Sequence, residues 1–197
     1  MNNKISYNKI ARQWSDIRKN SFVSSLVKDF ADKVKPNGHI LDIGCGSGIP
    51  LTKYLSDRGF FVTGIDVSEE MIEIANSNSI KRASFAVSDF FNFITKDKFD
   101  AVLAWDSLWH FPKDKQKSIY PKIGTLLNSN GYFLFTHGNV DGEHVDMMMG
   151  ESFYYSAISE YDIYKQLSES EFEIEYTHHD FIENNSHRAF VVLAKKT

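Results

Sequence analysis

The chain has 197 residues, 42% of them apolar and 14% aromatic, with one cysteine and a net charge of −4. That length suits one domain with a sizeable core, and the composition is too apolar for a disordered chain. The lone Cys45 excludes a disulfide framework and a multi-cysteine zinc site, no apolar run reaches the ~20 residues that cross a bilayer, and the first residues lack the apolar stretch of a signal peptide, so a cytoplasmic protein with no metal centre and no membrane partner is expected.

The chain opens with a helical pattern, Ile10, Trp14 and Ile17 recurring at i, i+4 and i+7. A second apolar stripe, Phe22, Leu26, Phe30 and Val34, is stopped by Pro36-Asn37-Gly38. A short apolar run over 39–43 then leads into the glycine loop Gly44-Cys45-Gly46-Ser47-Gly48. Beyond it the spacing predicts a helix over 51–57, a buried strand over 60–65 and a helix over 68–76 with Ser68 as its cap. Strands follow over 83–87 and 99–104, a helix over 113–127, a strand over 131–137, a helix over 159–167 and closing strands over 172–176 and 188–194. Strands separated by helices make a parallel sheet, and two strands with no helix between them make a hairpin. The expected fold is α/β: a doubly wound three-layer sandwich around a seven-stranded, mostly parallel sheet with an antiparallel C-terminal hairpin.

In such sheets ligands bind beyond the carboxyl ends of the strands. The loop after the first strand is not a dinucleotide fingerprint, because Ile49 stands where the third glycine belongs, and no Gly-Lys-Ser/Thr follows to make a phosphate-gripping loop. What remains is D-x-G-x-G-x-G, and Asp42, two residues before the first glycine, suits an ammonium group better than a phosphate. Asp66 ends the second strand about twenty residues past the loop, where an acid can accept both hydroxyls of a ribose. Asp89 follows the third strand, placed to bind an adenine amino group between Val67 and Phe90.

These stretches resemble class I S-adenosylmethionine-dependent methyltransferases of the bacterial small-molecule type. Leu41-Asp42-Ile43-Gly44-Cys45-Gly46-Ser47-Gly48 is similar to their first motif, and Gly64-Ile65-Asp66-Val67-Ser68-Glu69-Glu70-Met71 to their second. Asp89-Phe90 is similar to the third, and Phe99-Asp100-Ala101-Val102 to their fourth strand. The resemblance implies S-adenosyl-L-methionine as cofactor. Gly44, Cys45, Gly46 and Gly48 would wrap its methionine part, with Asp42 beneath and Trp105 at the border, and Asp66 would hold the ribose. Val67, Asp89 and Phe90 would hold the adenine, with Met71 and Ser88 beside them. Tyr7-Asn8-Lys9-Ile10-Ala11-Arg12-Gln13-Trp14 resembles the helix that closes over the cofactor, which makes Tyr7 and Trp14 lid candidates; core packing is an equal reading for Trp14. One domain, 1–197, is then expected: a lid over 1–35, a cofactor core over 36–137, and an acceptor-side insert with the closing hairpin over 138–197.

Methyl transfer is an in-line displacement in which alignment and exclusion of water supply much of the rate, and a base is needed only where the acceptor must lose a proton. His110, in Trp105-Asp106-Ser107-Leu108-Trp109-His110-Phe111, is the first candidate for acceptor binding or base work, with helix capping as the alternative; His137 is the second. Trp109, Tyr154, Tyr155 and His187 are candidates for the acceptor walls, and Met147-Met148-Met149 with Phe153-Tyr154-Tyr155 for an adaptable apolar face. Residues 139–185 carry twelve Asp/Glu against Lys165 alone, either a solvated acidic face or a lip favouring neutral or cationic substrates. The chain shows no basic stripe for nucleic acid, and the stretch after the fourth strand lacks the prolines of enzymes that methylate nucleobases. A small organic methyl acceptor and a monomer or homodimer are expected. A protein or RNA methyltransferase, a cofactor-binding module without turnover and a nicotinamide-dependent oxidoreductase are the alternatives.

Overall fold

The structure, a computed structural model, describes residues 3–197. Seven strands form one sheet: β1 (His39–Ile43), β2 (Phe61–Asp66), β3 (Ala83–Val87), β4 (Phe99–Ala104), β5 (Leu127–His137), β8 (Phe172–Glu183) and β9 (Ser186–Lys196). Their order is β3-β2-β1-β4-β5-β9-β8, parallel from β3 to β5 and antiparallel where β9 joins β5 and β8. The α/β sandwich read from the sequence is therefore the fold. The chain winds outward in opposite directions from β1 and β4, so the connections after these two strands diverge and leave a crevice at their carboxyl ends.

Helices cover both faces of the sheet. They are α1 (Asn3–Arg18), α2 (Ser25–Lys33), α3 (Leu51–Asp57), α4 (Glu69–Ser77), α5 (Ile119–Leu126) and α6 (Glu160–Glu169). One core packs Phe30, Val27 and Leu55 onto Ile40, Val62 and Leu103. The other packs Tyr120, Ile123, Ile163 and Leu167 onto Val102, Phe133 and Phe135. Ser24 caps α2 and Ser68 caps α4, each side-chain oxygen accepting an N–H of the first turn. Among the described residues no helix is long and apolar enough to cross a membrane.

Several elements differ from the sequence reading. α1 buries Ser6, Ile10, Ala11 and Ser15, whereas Ile17 is exposed; small side chains let the helix lie close on its neighbours, so the buried stripe is not the most apolar one. The expected helix over 113–127 divides into a 3-10 run, Lys113–Ser118, and the short α5, and β5 begins four residues early because Leu127 pairs with Phe99 before a shift of register. The segment expected as a bare insert is a second, two-stranded sheet, β6 (Gly142–Met148) and β7 (Glu151–Ala157). Its turn, Met149-Gly150, has both residues at positive φ (53° and 82°), a primed turn without the usual Asn-Gly signature. The closing strands also run further, to a second primed turn at Asn184-Asn185 (48° and 61°).

Candidate functional site

The crevice at the ends of β1 and β4 holds a cavity of about 580 Å³, walled on one side by α1. A neighbouring cleft of about 70 Å³ continues from it beneath the glycine loop. Gly44 and Gly46 line both, so one loop serves two compartments.

The loop is pinned to β2, with the N–H groups of Gly44 and Cys45 both donating to the Ile65 carbonyl at 2.8 and 3.1 Å. Gly44 sits at φ +76°, and a Cβ there would lie 2.5 Å from that of Ser107, so only glycine lets the loop meet the chain after β4. Gly48 is held in the same way at φ +75°, where a Cβ would strike Ile80 and Phe85; it lines neither compartment and sets the loop's shape from behind. Asp66 accepts from the Gly46 N–H (3.0 Å) and the Ser68 N–H (2.9 Å), which fixes its carboxylate at the cavity, while burial pushes its pKa up. Asp42 lines the small cleft, accepts from the Thr52 hydroxyl at 2.6 Å and is pushed up to about 6 by burial.

Val67, Ser88, Asp89 and Phe90 line the main cavity together, with Phe91 and Phe111 beyond them and Phe90 stacked on Phe111 at 5.7 Å. Asp89 also caps the turn at Phe91 (2.8 Å), so its capping role and its place at the cavity coexist. Met71 is buried beneath the loop, its sulfur 4.0 Å from where a Gly46 Cβ would stand, and it touches the site only through that loop. Cys45 and Trp105 line the small cleft.

Two clusters matter beyond those read from sequence. Asp106, at a left-handed φ of 57°, receives a fork from buried Arg188: Nε donates to Oδ1 at 2.9 Å and Nη2 to Oδ2 at 2.7 Å. The same guanidinium lies 4.7 Å above the Trp105 ring, and its Nη1 has no hydrogen-bond partner among the described residues. Across Asp106 stands Arg18 of α1, lining the small cleft; its guanidinium donates no hydrogen bond to any described residue, and its pKa is lowered by burial while Asp106 supports the charge. Ser107 Oγ, buried in the main cavity wall, is likewise without a partner. Arg18, Arg188, Asp106 and Ser107 were missed as site residues. The available signal was Arg18 one turn past Trp14, on the face that α1 shares with it.

His110 joins α1 to the chain after β4. The Trp109 indole N–H reaches its Nε2 at 3.3 Å, and an indole can only donate, so Nε2 is the bare nitrogen. The Tyr7 hydroxyl at 2.8 Å then donates to Nε2, and the ring proton on Nδ1 donates to the Tyr154 carbonyl at 3.0 Å. Asn3 completes the join, donating to that carbonyl and accepting from the Tyr154 N–H, both at 2.8 Å. Enclosure by Tyr7, Phe153 and Tyr155 desolvates the imidazole and pushes it down to about 4, so it is neutral at pH 7, and burial raises the Tyr7 hydroxyl far above its ordinary value. In a proton-resonance titration the His110 ring is expected to change shift with a midpoint near about 4; a midpoint at the ordinary ~6.5 would show a solvated ring and dissolve the join.

The structure brings Tyr7, Trp14, Asp66, Val67, Ser88, Asp89, Phe90, His110 and Tyr154 to one cavity. Of the catalytic and acceptor-side candidates, four lie outside it. His137 is fully buried between Gln116 Oε1 (2.5 Å) and the Gly138 carbonyl (2.8 Å) and lines neither compartment, so it holds β5 to its neighbours and is corrected to a structural role. His187 stands exposed at the tip of the β8–β9 hairpin, 3.1 Å from Asp180, because those strands overshoot the sheet; it forms no acceptor wall. Trp109 and Tyr155 line a separate cavity, since β7 alternates Tyr154 toward the main cavity and Tyr155 away from it. The methionine run lies at the exposed end of β6, with Met147 60% exposed, and lines neither of these two cavities.

Residues 34–180 match a family described as a methyltransferase domain. A Methanocaldococcus jannaschii protein described as uncharacterised is 29% identical over 135 residues, 68% of this chain and 51% of its own length. A ubiquinone biosynthesis O-methyltransferase of Coxiella burnetii is 32% identical over 103 residues, 50% of this chain and 42% of its own. The match thus spans about half of each of these relatives. Magnesium protoporphyrin IX methyltransferase of Synechocystis PCC 6803, solved with bound SAM, superposes with a TM-score of 0.75 at 20% identity, covering 98% of this chain and 95% of that one. With three-quarters of its length matching and the sheet order this fold requires, the chain belongs to the methyltransferase domain family.

Proposed function

We propose that this chain is an S-adenosyl-L-methionine-dependent methyltransferase acting on a small organic acceptor. The observation that carries the reading is the continuity of the two compartments around Gly44 and Gly46: one is lined by Asp66, Val67, Asp89 and Phe90, the other by Asp42, Asp106 and Arg18. The first suits a ribose and a flat base. The second offers carboxylates for an ammonium group and an arginine with unused donors for a carboxylate, which together describe an α-amino acid. The names of the Coxiella and Synechocystis proteins, an O-methyltransferase of ubiquinone biosynthesis and a magnesium protoporphyrin IX methyltransferase, support the same class.

The cofactor, when bound, supplies an activated methyl group. The residues of this chain do the rest. Asp66 and Asp89 orient the nucleoside, and Ser107 Oγ is an unused polar atom at the junction of the compartments. α1 walls the cavity through Tyr7 and Asn3, which shields the reacting atoms from water on that side. Where the acceptor must lose a proton, Tyr7 Oη receives it and passes its own to His110 Nε2, and the resulting imidazolium is held by the Tyr154 carbonyl and by the nearby Asp106 carboxylate. The raised pKa of Tyr7 makes a free phenolate costly, so the two proton movements go together.

Calorimetry with S-adenosylhomocysteine and with NAD, followed by a methyl-labelled cofactor and a panel of hydroxyl- and amine-bearing acceptors, tests this. Saturable S-adenosylhomocysteine binding with label transfer is expected. Binding without any transfer leaves a cofactor-holding module, and tight NAD binding alone sinks the reading. Arg18→Gln is expected to weaken S-adenosylhomocysteine about tenfold, the scale of a hydrogen bond to a charged group, and to leave methylthioadenosine, which lacks the amino-acid end, unchanged. Equal losses for both would place Arg18 away from the carboxylate.

A further inference from the structure

A second cavity, of about 380 Å³, lies on the far side of His110 and shares no lining residue with the first. That volume falls within the roughly 300–1,000 Å³ of small-molecule pockets. Its aromatic walls are Trp109, Tyr155 and His144, the last two stacked in parallel with centroids 5.1 Å apart. Gly138 and Ala157 bring its floor together: a Cβ on Gly138 would stand 2.9 Å from that of Ala157. Trp109 and Tyr155 also form the partition, the former reaching His110 Nε2 at 3.3 Å and the latter with its ring 4.7 Å from the imidazole.

The charges of this cavity are one-sided. Asp141 and Glu143 line it, and neither lysine nor arginine does. Lys113 reaches Asp141 at 2.7 Å from the rim and also feels the charge of Glu143, which accepts the Tyr154 hydroxyl at 2.9 Å, so two carboxylates share one cation. Flat aromatic faces with carboxylates beside them attract a cation that carries an apolar body, through the ring quadrupoles and ordinary Coulomb attraction. They repel anions. The acidity of residues 139–185 acts in the same sense, drawing cations toward this end of the molecule.

The geometry points to a second binding site here, between β6–β7 and the chain after β4, for a small organic cation such as a protonated or quaternary amine with an aromatic or aliphatic body. The site is independent of the cofactor compartments, and its ligand and S-adenosylhomocysteine occupy the protein together.

Benzyltrimethylammonium, with benzyl alcohol and benzoate as its uncharged and anionic counterparts, tests this on the full chain with and without S-adenosylhomocysteine. Calorimetry reads the affinity, and the indole N–H resonance of Trp109 reads the place. The cation is expected to bind at about millimolar strength or better, to shift that resonance, and to bind at least about tenfold more tightly than benzyl alcohol. Benzoate is expected not to bind. Asp141→Asn together with Glu143→Gln, which keep size and hydrogen bonding, should weaken the cation about tenfold while S-adenosylhomocysteine binds as before. Equal binding of cation and alcohol, an unmoved Trp109 resonance at saturation, or an unchanged double variant would overturn the assignment. An unsubstituted chain that binds S-adenosylhomocysteine but not the cation refutes this site alone, and one that binds the cation at Trp109 but not S-adenosylhomocysteine refutes only the methyltransferase reading.

Discussion

Tyr7→Phe is expected to lower turnover of a proton-losing acceptor about 100-fold, the lower end of what a positioned acid–base group contributes. The substitution removes one oxygen and leaves a ring that still packs on Phe153 at 4.7 Å. It also removes the donor to His110 Nε2, so two roles are at stake: passing a proton, and fastening α1 over the cavity. They are separable by measurement. A proton-passing role lowers kcat and leaves the dissociation constant of S-adenosylhomocysteine within about threefold, because the Asn3 bonds to Tyr154 still hold the helix. A fastening role raises that constant and spares kcat. His110→Gln is the companion test, since it keeps a polar group near Tyr7 but has no ring nitrogen to receive the proton that Tyr7 passes on. Full turnover in both variants would mean that the acceptor needs no base.

Asp66→Ala is expected to weaken the cofactor by about 1–3 kcal/mol, the range for removing a partner from buried hydrogen-bonding groups. The carboxylate would lose the ribose, and the N–H groups of Gly46 and Ser68 would lose their acceptor at the same time. The glycine loop therefore loosens along with the ligand contact. Methylthioadenosine reports on this: it carries the ribose, so its affinity should fall in parallel with that of S-adenosylhomocysteine, opposite to the pattern expected of Arg18→Gln. Unchanged binding of both would place the ribose elsewhere.

Most of the sheet was legible because its parallel strands are short apolar runs punctuated by Gly and Asp, and buried strands admit few other residues. Ser68 and Asp66 could be read for the same reason: caps and strand-end acids occupy fixed offsets from their elements. The β6–β7 hairpin could not. Its strand β6 is almost wholly exposed, so it carries no inward-outward alternation, and its turn uses Met149 where Asn would announce it. Nor could the Arg18–Asp106–Arg188 cluster be read, for it assembles three segments separated by more than eighty residues, and no local pattern encodes such a meeting. His137 misled because proximity to a strand end looks the same in sequence whether the ring faces a cavity or the interior.

The fastening of α1 has a kinetic consequence. On the proposed reading, a nucleoside bound beside Tyr7 and Trp14 is covered on that side by a helix whose near end is tied to β7 through Asn3 and Ser6 and to His110 through Tyr7. Departure of spent cofactor past α1 is then expected to require the breaking of those few bonds. Loosening them would quicken departure of the product while admitting water to the reacting atoms, so the residence time of the cofactor and the dryness of the chamber are set by the same three side chains.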